Sequence, residues 1–193
     1  MKNSQSEEFR QKIEQIYRKY LQLFPQEGKR LALLRDCLDA GASIHLRSEM
    51  RGHVTASALV LSADRSQVLL VHHRGLNVWI APGGHYDLTD GEVWRTAERE
   101  TVEETNASGL VLDHWHRTHL LPLDIDVHPI PARPERGEGD HFHFDCRYVF
   151  QASQDVKIAR AERELINIAW KPVGSIPADS SLYAVARKIP SLR

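Results

Sequence analysis

Apolar positions recur at helical spacing from the start of the chain. Phe9, Ile13, Ile16, Tyr17, Tyr20, Leu21 and Phe24 form one stripe over residues 4–24, the i, i+3, i+4 pattern of an amphipathic helix. Ser4 or Ser6 is placed to cap it and Pro25 to end it. Residues 27–40 repeat the pattern with Leu31, Leu34 and Leu38 and stop at Gly41. The spacing predicts an N-terminal helical hairpin over residues 1–45, ahead of a main domain at 46–193. The period then changes. "HVTASALVLS" (53–62) and "QVLLVHH" (67–73) predict a strand hairpin turning at Ala63-Asp64-Arg65-Ser66. The continuous apolar run of the second predicts a central strand covered on both faces. "LNVWIAPGGHYD" predicts a short strand entering a glycine turn, and residues 91–106 predict a helix. "GLVLDHWHRTHLL" then predicts a strand. Residues 122–140, with four prolines and two glycines, predict an ordered loop or lid. "HFHFDCRYVFQA" (141–152) alternates strictly at its start and predicts a strand, as does "LINIAWKPV" (165–173). "DSSLYAVARKI" (179–189) predicts a short closing helix. Strands and helices mix without regular βαβ alternation. The fold class expected is therefore α/β, a mixed sheet with helices on both faces rather than a doubly wound fold.

Chemistry concentrates on helix 91–106. With Thr101 at the centre of its buried face, Trp94, Ala97 and Thr105 join the apolar stripe. Glu100 and Glu104 fall on one flank, and Glu103 and Glu92 continue around it. Like charges at i, i+4 repel by roughly 0.2–0.5 kcal/mol per pair, so this crowd calls for either full solvation or a cation. Hard ions such as Mg²⁺ prefer oxygen ligands of this kind. Gly83 and Gly84, just before the helix, allow close backbone approach to a ligand. A turn that opens a helix also offers N–H groups to an anion.

Composition narrows the partners. The 193 residues include 25 basic and 26 acidic side chains, a formal net charge of −1. Nucleic-acid binding usually shows as a basic excess, so none is expected. Phosphorylated small molecules need only local charge. Two cysteines, Cys37 and Cys146, make no disulfide framework and point to a reducing compartment. The polar N-terminus lacks a signal-peptide core and no apolar run approaches a membrane span. A cytoplasmic protein with no membrane partner is expected.

Gly84, Arg99, Glu100, Glu103 and Glu104, in "GG…E…RETVEET", resemble the signature of the Nudix (MutT-type) hydrolases. The fit has departures. One extra residue lies between Gly84 and Arg99, so either Asp90 or Glu92 takes the first acidic position. Thr101 replaces an aliphatic, Asn106 a glycine and Ala107 a second aliphatic. Asparagine also serves a left-handed C-cap, which makes that change mild. The strands before the motif and "LINIAWKPV" extend the resemblance over residues 53–176. It implies a Nudix-like α/β/α sandwich with a mixed β-sheet. It also implies Mg²⁺- or Mn²⁺-dependent cleavage of a diphosphate bond in a nucleoside diphosphate linked to another moiety. Glu100, Glu103 and Glu104 are then the metal ligands and catalytic carboxylates, and Arg99 holds a carboxylate in position. Glu164, with Glu162 beside it, is the candidate for a general base on a distant loop.

The histidines form a second group. His141, His143 and Asp145 sit at i, i+2, i+4 of a strand and share one face, with Phe142, Phe144 and Cys146 on the other. They either line the substrate cleft, or hold Zn²⁺ or Fe²⁺, or are simply solvated. His85 could join them, and Asp124, Asp126 and His128 could close over them. Arg133 and Arg136 are candidates to clamp phosphate. Trp79 and Trp115 are either core or a stacking platform for a base. Substrate-side candidates are thus Gly83, Gly84, His85, His141, His143, Asp145 and Arg133. Two alternatives to hydrolysis stand beside it: an isopentenyl-diphosphate-isomerase-like enzyme with a histidine-rich metal site, and a non-catalytic nucleotide-binding module. The apolar stripe of the helical hairpin either covers the sheet or makes a homodimer contact.

Overall fold

A computed structural model describes residues 2–134, 137–163 and 165–192. Helix α1 (Lys2–Leu23) and helix α2 (Ala32–Asp39) come first, joined through a single 3-10 turn at Pro25–Glu27. Strands β1 (His53–Leu61), β2 (Gln67–His73), β3 (Val78–Ile80) and β4 (Gly83–His85) follow. Helix α3 spans Val93–Thr105, strand β5 Val111–Leu112 and helix α4 His114–His119. Strands β6 (Asp124–Ile130), β7 (His141–Gln151) and β8 (Leu165–Pro172) lead to a short α5 (Tyr183–Ala186).

β1 is the axis of the sheet, buried at every position. It runs parallel to β7 over its whole length, from His53 opposite His143 to Leu61 opposite Gln151. It pairs antiparallel with β2 at one end and with β4 at the other. β6 and β5 pair with β7, and β3 and β8 with β2, all antiparallel. One parallel pair among antiparallel ones makes the sheet mixed, as expected. Period-two alternation along β1 feeds two cores. Ala56, Ala58 and Val60 pack with α3 and the N-terminal helices, and Leu59 and Leu61 with Leu182, Val185 and Ile189. The stripe Phe9, Ile13, Ile16 and Tyr20 of α1 is spent on this first core, so it covers the sheet. No described helix is long and apolar enough to cross a membrane.

Several elements depart from the sequence reading. The stretch expected to be a loop at 122–140 contains β6, paired with β7 from Asp124 opposite Arg147 to Ile130 opposite His141. Leu123 and Ile125 are both buried, Leu123 in the second core and Ile125 in the first, with Asp124 buried between them. Pro129 lies on a strand that pairs with β7 alone, the edge setting in which proline is tolerated. In "GLVLDHWHRTHLL" only Val111–Leu112 is strand. The Asp113 carboxylate accepts the Trp115 N–H at 2.9 Å and caps α4. His116 then turns into the core, accepting the Val149 N–H at 2.8 Å and donating to the Leu121 carbonyl at 2.7 Å. Residues Gly83–His85 form a strand rather than a turn. The closing helix is shorter than residues 179–189, and the second helix starts later than residue 27.

A buried ionic cluster ties the N-terminal helices to the sheet. The fully buried Asp124 accepts from Arg30 and Lys188 at 2.9 Å and from Arg147 at 3.3 Å. Burial works against its ionised form, yet these cations hold it below the usual carboxylate range.

Asp124→Asn, which strands these cations without their shared carboxylate, is expected to lower the unfolding free energy by about 3–5 kcal/mol. An unchanged urea midpoint would contradict this. Burial also pushes the His116 imidazole down to about 4 from an ordinary 6.5. Between those values the unfolded chain binds the extra proton, so stability is complete above pH 6.5 and drains away as pH falls toward 4. Urea midpoints measured across that window should fall less in His116→Gln than in the unsubstituted protein.

Candidate active site

The acidic flank of α3 is positioned by the strand before it. Thr96, Ala97, Thr101 and Thr105 are buried against the sheet. The hydroxyls of Thr101 and Thr105 donate to the carbonyls of Ala97 and Thr101, which lets polar side chains sit in a core. Asn106 ends the helix in the left-handed region at φ 51°, doing the work of the glycine it replaces. Across from this helix lies β4. A Cβ on Gly83 would stand 2.5 Å from the Ala56 carbonyl oxygen. One on Gly84 would collide with the Glu100 carboxylate. At Gly83 the β1 backbone leaves room for glycine alone, whereas at Gly84 a side chain would have to push the Glu100 carboxylate aside.

That fit brings the carboxylates to the backbone. The Gly83 N–H donates to Glu104 at 3.2 Å. It is therefore engaged within the protein, which corrects the expectation of an open anion-binding turn; α3 itself begins only at Val93. Arg99 reaches from the helix to the strand and donates to the His85 carbonyl at 3.1 Å. Its guanidinium grips Asp90 with two bonds, at 2.8 and 3.0 Å, and Glu100 with one at 2.8 Å. Glu103 lies at 3.4 Å. Asp90 is therefore the acidic residue that Arg99 clamps, while Glu92 pairs with Lys12 at 2.7 Å. Gly91, at φ 72°, turns the chain between Asp90 and the helix.

The charge balance is uneven. Burial pushes the Glu100 carboxyl above its ordinary value, and Glu103 and Asp90 add to this, against the pull of Arg99. One arginine thus leaves the flank short of positive charge. Glu100, Glu103 and Glu104 offer hard oxygen donors on one side of a helix, a set that fits a divalent ion retaining some of its water.

The histidines gather nearby. The parallel register sets His53 of β1 beside His143 of β7. His53, His141 and His143 are the described residues whose potential metal-ligating atoms converge to within 4.8 Å. The His85 ring lies 5.1 Å from that of His53 and 5.0 Å from that of His143, centroid to centroid. His128 lies 5.6 Å from His143. Burial lowers His85 to about 4 and His143 to about 2, so both are neutral at neutral pH. Asp145 does not join this group. It accepts from Ser57 at 2.7 Å, Thr55 at 3.2 Å and Arg147 at 3.0 Å, and its lone pairs are spent inside the sheet. The third member is His53, and no signal at its own position distinguishes it.

The remaining candidates are scattered. Asp124 and Asp126 hold Arg147, and Asp126 also meets the His128 ring nitrogen at 3.0 Å. Phe144 and Cys146 are buried as expected, but Phe142 is exposed. Trp79 stacks on His72 and carries Lys171 on its ring, and Trp115 stacks on His119. Arg133 makes a backbone bridge with Glu138. Glu162 is exposed 3.9 Å from Arg160. Glu164 and Arg136 lie outside the described residues.

The family model for the NUDIX domain matches residues 51–190. The chain belongs to the NUDIX family. It is an enzyme of the NUDIX hydrolase type. Solved structures share the fold. An Ap4A hydrolase from C. elegans, 16% identical, aligns with a TM-score of 0.54 over 72% of this chain and 95% of its own. A NUDIX-family hydrolase from Clostridium perfringens, 14% identical, aligns with a TM-score of 0.51 over 73% and 98%. No curated protein sequence matches significantly.

If the glycine of β4 sets the NUDIX carboxylates, Gly84→Ala should displace Glu100 while leaving the sheet intact. The expected loss in kcat is about 100-fold, the scale of an ångström-sized misplacement. Unimpaired turnover in a folded Gly84→Ala protein would show that the contact is dispensable.

Proposed function

We propose that this NUDIX hydrolase is a Mg²⁺- or Mn²⁺-dependent pyrophosphohydrolase acting on a nucleoside diphosphate linked to another moiety. The supporting observation is the under-neutralised carboxylate flank of α3, fixed against glycine backbone and oriented by one arginine. Glu100, Glu103 and Glu104 would hold the metal. A bound divalent ion supplies charge neutralisation for the diphosphate and a more acidic water.

The protein's own groups do the rest. Glu104, buried and tied to the Gly83 N–H, is the rigid member of the set. Glu103, exposed beyond Arg99, is the adaptable one. Arg99 holds one oxygen of Glu100 and leaves the other unclaimed by it. Because burial raises its proton affinity, Glu100 is suited to take a proton from an attacking water at that second oxygen. Glu164 is the other candidate for this base. Gly84, His85, His141, His143 and Arg133 are the groups proposed to face the substrate. Asp145 drops out because Arg147 and two hydroxyls engage it.

A second reading draws on the histidine group. Its imidazoles beside the carboxylate flank are compatible with prenyl-diphosphate isomerisation, and direct assay of that reaction separates the two.

The test is a panel of nucleoside triphosphates, nucleotide sugars, ADP-ribose, coenzyme A and dinucleoside polyphosphates, the last because the C. elegans protein is named for one. Turnover of at least one compound with Mg²⁺ or Mn²⁺ is expected. Glu103→Gln should then lower kcat by about 100-fold or more, the scale of losing one charge-stabilising group. No turnover with either ion, or full activity in Glu103→Gln, would overturn the proposal.

A further inference from the structure

We propose that His53, His141 and His143 form a binding site for a borderline divalent transition ion, zinc before iron, separate from the carboxylates of α3. The ligand atoms come from two adjacent parallel strands, and His53 and His143 are register partners. Their separation is set by the sheet rather than by mobile loops. All three potential ligand atoms lie within 4.8 Å of one another.

The ring tautomers point the same way. Nδ1 of His141 is 2.7 Å from the Gly139 carbonyl, and Nδ1 of His53 is 3.3 Å from the Glu49 carbonyl. A carbonyl only accepts, so both Nδ1 atoms carry a proton, and in the neutral form of each ring Nε2 is a bare lone pair. Nε2 of His141 faces Nε2 of His143 at 3.3 Å. A proton on the His143 nitrogen satisfies the His141 lone pair at most. Nε2 of His53 is left buried with no hydrogen-bond partner among the described residues, on a side chain 1% exposed. A buried acceptor without a partner costs roughly 1–3 kcal/mol. A cation among the three nitrogens removes that cost. Donation of Nδ1–H to a backbone carbonyl is also the arrangement that orients metal-bound imidazoles.

The donor set selects the ion. Three neutral nitrogens and no carboxylate disfavour Mg²⁺, which demands oxygen, and favour the zinc end of the first-row series. Three protein ligands leave the fourth position of a tetrahedral ion to a water or a phosphate oxygen. Strand β4 joins this site to the carboxylates. The ring of His85 borders the histidines, while its carbonyl holds Arg99. An anionic substrate held by α3 would therefore lie within reach of the second ion.

The full chain, purified without a polyhistidine tag and stripped with a chelator, is titrated with Zn²⁺ against a metal-indicator dye and with Co²⁺ in the visible range. The expected result is uptake of one Zn²⁺ per chain and the visible absorption of a four-coordinate Co²⁺ site. His53→Asn and His143→Asn should each weaken uptake by about 100-fold or more and abolish the Co²⁺ bands. Circular dichroism checks folding. If His53→Asn unfolds, His143→Asn, at a half-buried ring, carries the comparison. Glu103→Gln should leave the zinc and cobalt results unchanged while reducing hydrolysis, which separates this site from the proposed hydrolytic one. No uptake by the unsubstituted chain, or equal uptake by the histidine variants, would overturn the proposal.

Discussion

The contact between bare glycine backbone in β4 and the carboxylates of α3 governs the site. β4 lies so close to β1 that a side-chain carbon at Gly83 has no room, and one at Gly84 would displace the Glu100 carboxylate of α3. That closeness lets the Gly83 N–H meet Glu104 and the His85 carbonyl meet Arg99. Arg99 can then bind Asp90, Glu100 and Glu103 at once. Acidic residues that would repel one another on an isolated helix are held on one flank by an arginine and two backbone groups. The arginine does not balance them fully, and Glu100 keeps a raised affinity for protons. A site built this way is preorganised for a cation.

The surrounding fold serves that contact. β1 is buried along its length and orders both faces of the sheet. α1 is fastened to the segment after β4 by stacking of Phe9 on Tyr86, at 4.0 Å between centroids, and by Lys12 reaching the Gly91 carbonyl at 2.8 Å. Its far end is tied through Tyr20 and Asp124 to β6 and the C-terminal segment. The N-terminal helices thus brace the loop that carries Asp90, the residue Arg99 grips. The same parallel pairing that makes β1 the axis aligns His53 with His143. The carboxylate flank and the histidine group are consequences of one strand arrangement, bridged by His85.

Much of this was legible in the sequence where local chemistry decides the outcome. β1, β2, β7 and β8 follow from apolar runs and alternation, and α3 from the stripe through Thr101. Asn106 could be recognised as a cap because asparagine tolerates the left-handed region. What escaped depends on contacts distant in the chain. β6 was hidden by prolines that an edge strand accommodates. α4 was hidden because Asp113 and His116 each have two plausible roles until Val149 is placed beside them. Asp90 and Glu92 are equivalent on paper, and only the reach of Arg99 against that of Lys12 separates them. Asp145 shares a strand face with two histidines, but Arg147 and two hydroxyls from β1 claim it. His53 could enter the group only once the register of β1 on β7 was known.

The central claim is that glycine backbone and Arg99 gather Glu100, Glu103 and Glu104 into a seat for a divalent ion. Paramagnetic broadening tests it most directly, with Mn²⁺ added in small amounts while the amide signals of the chain are followed by NMR. The account predicts that the signals of Gly84, Glu100, Glu103 and Glu104 disappear first. If those signals persist while amides elsewhere broaden, the carboxylate flank is a solvated surface and the account is wrong.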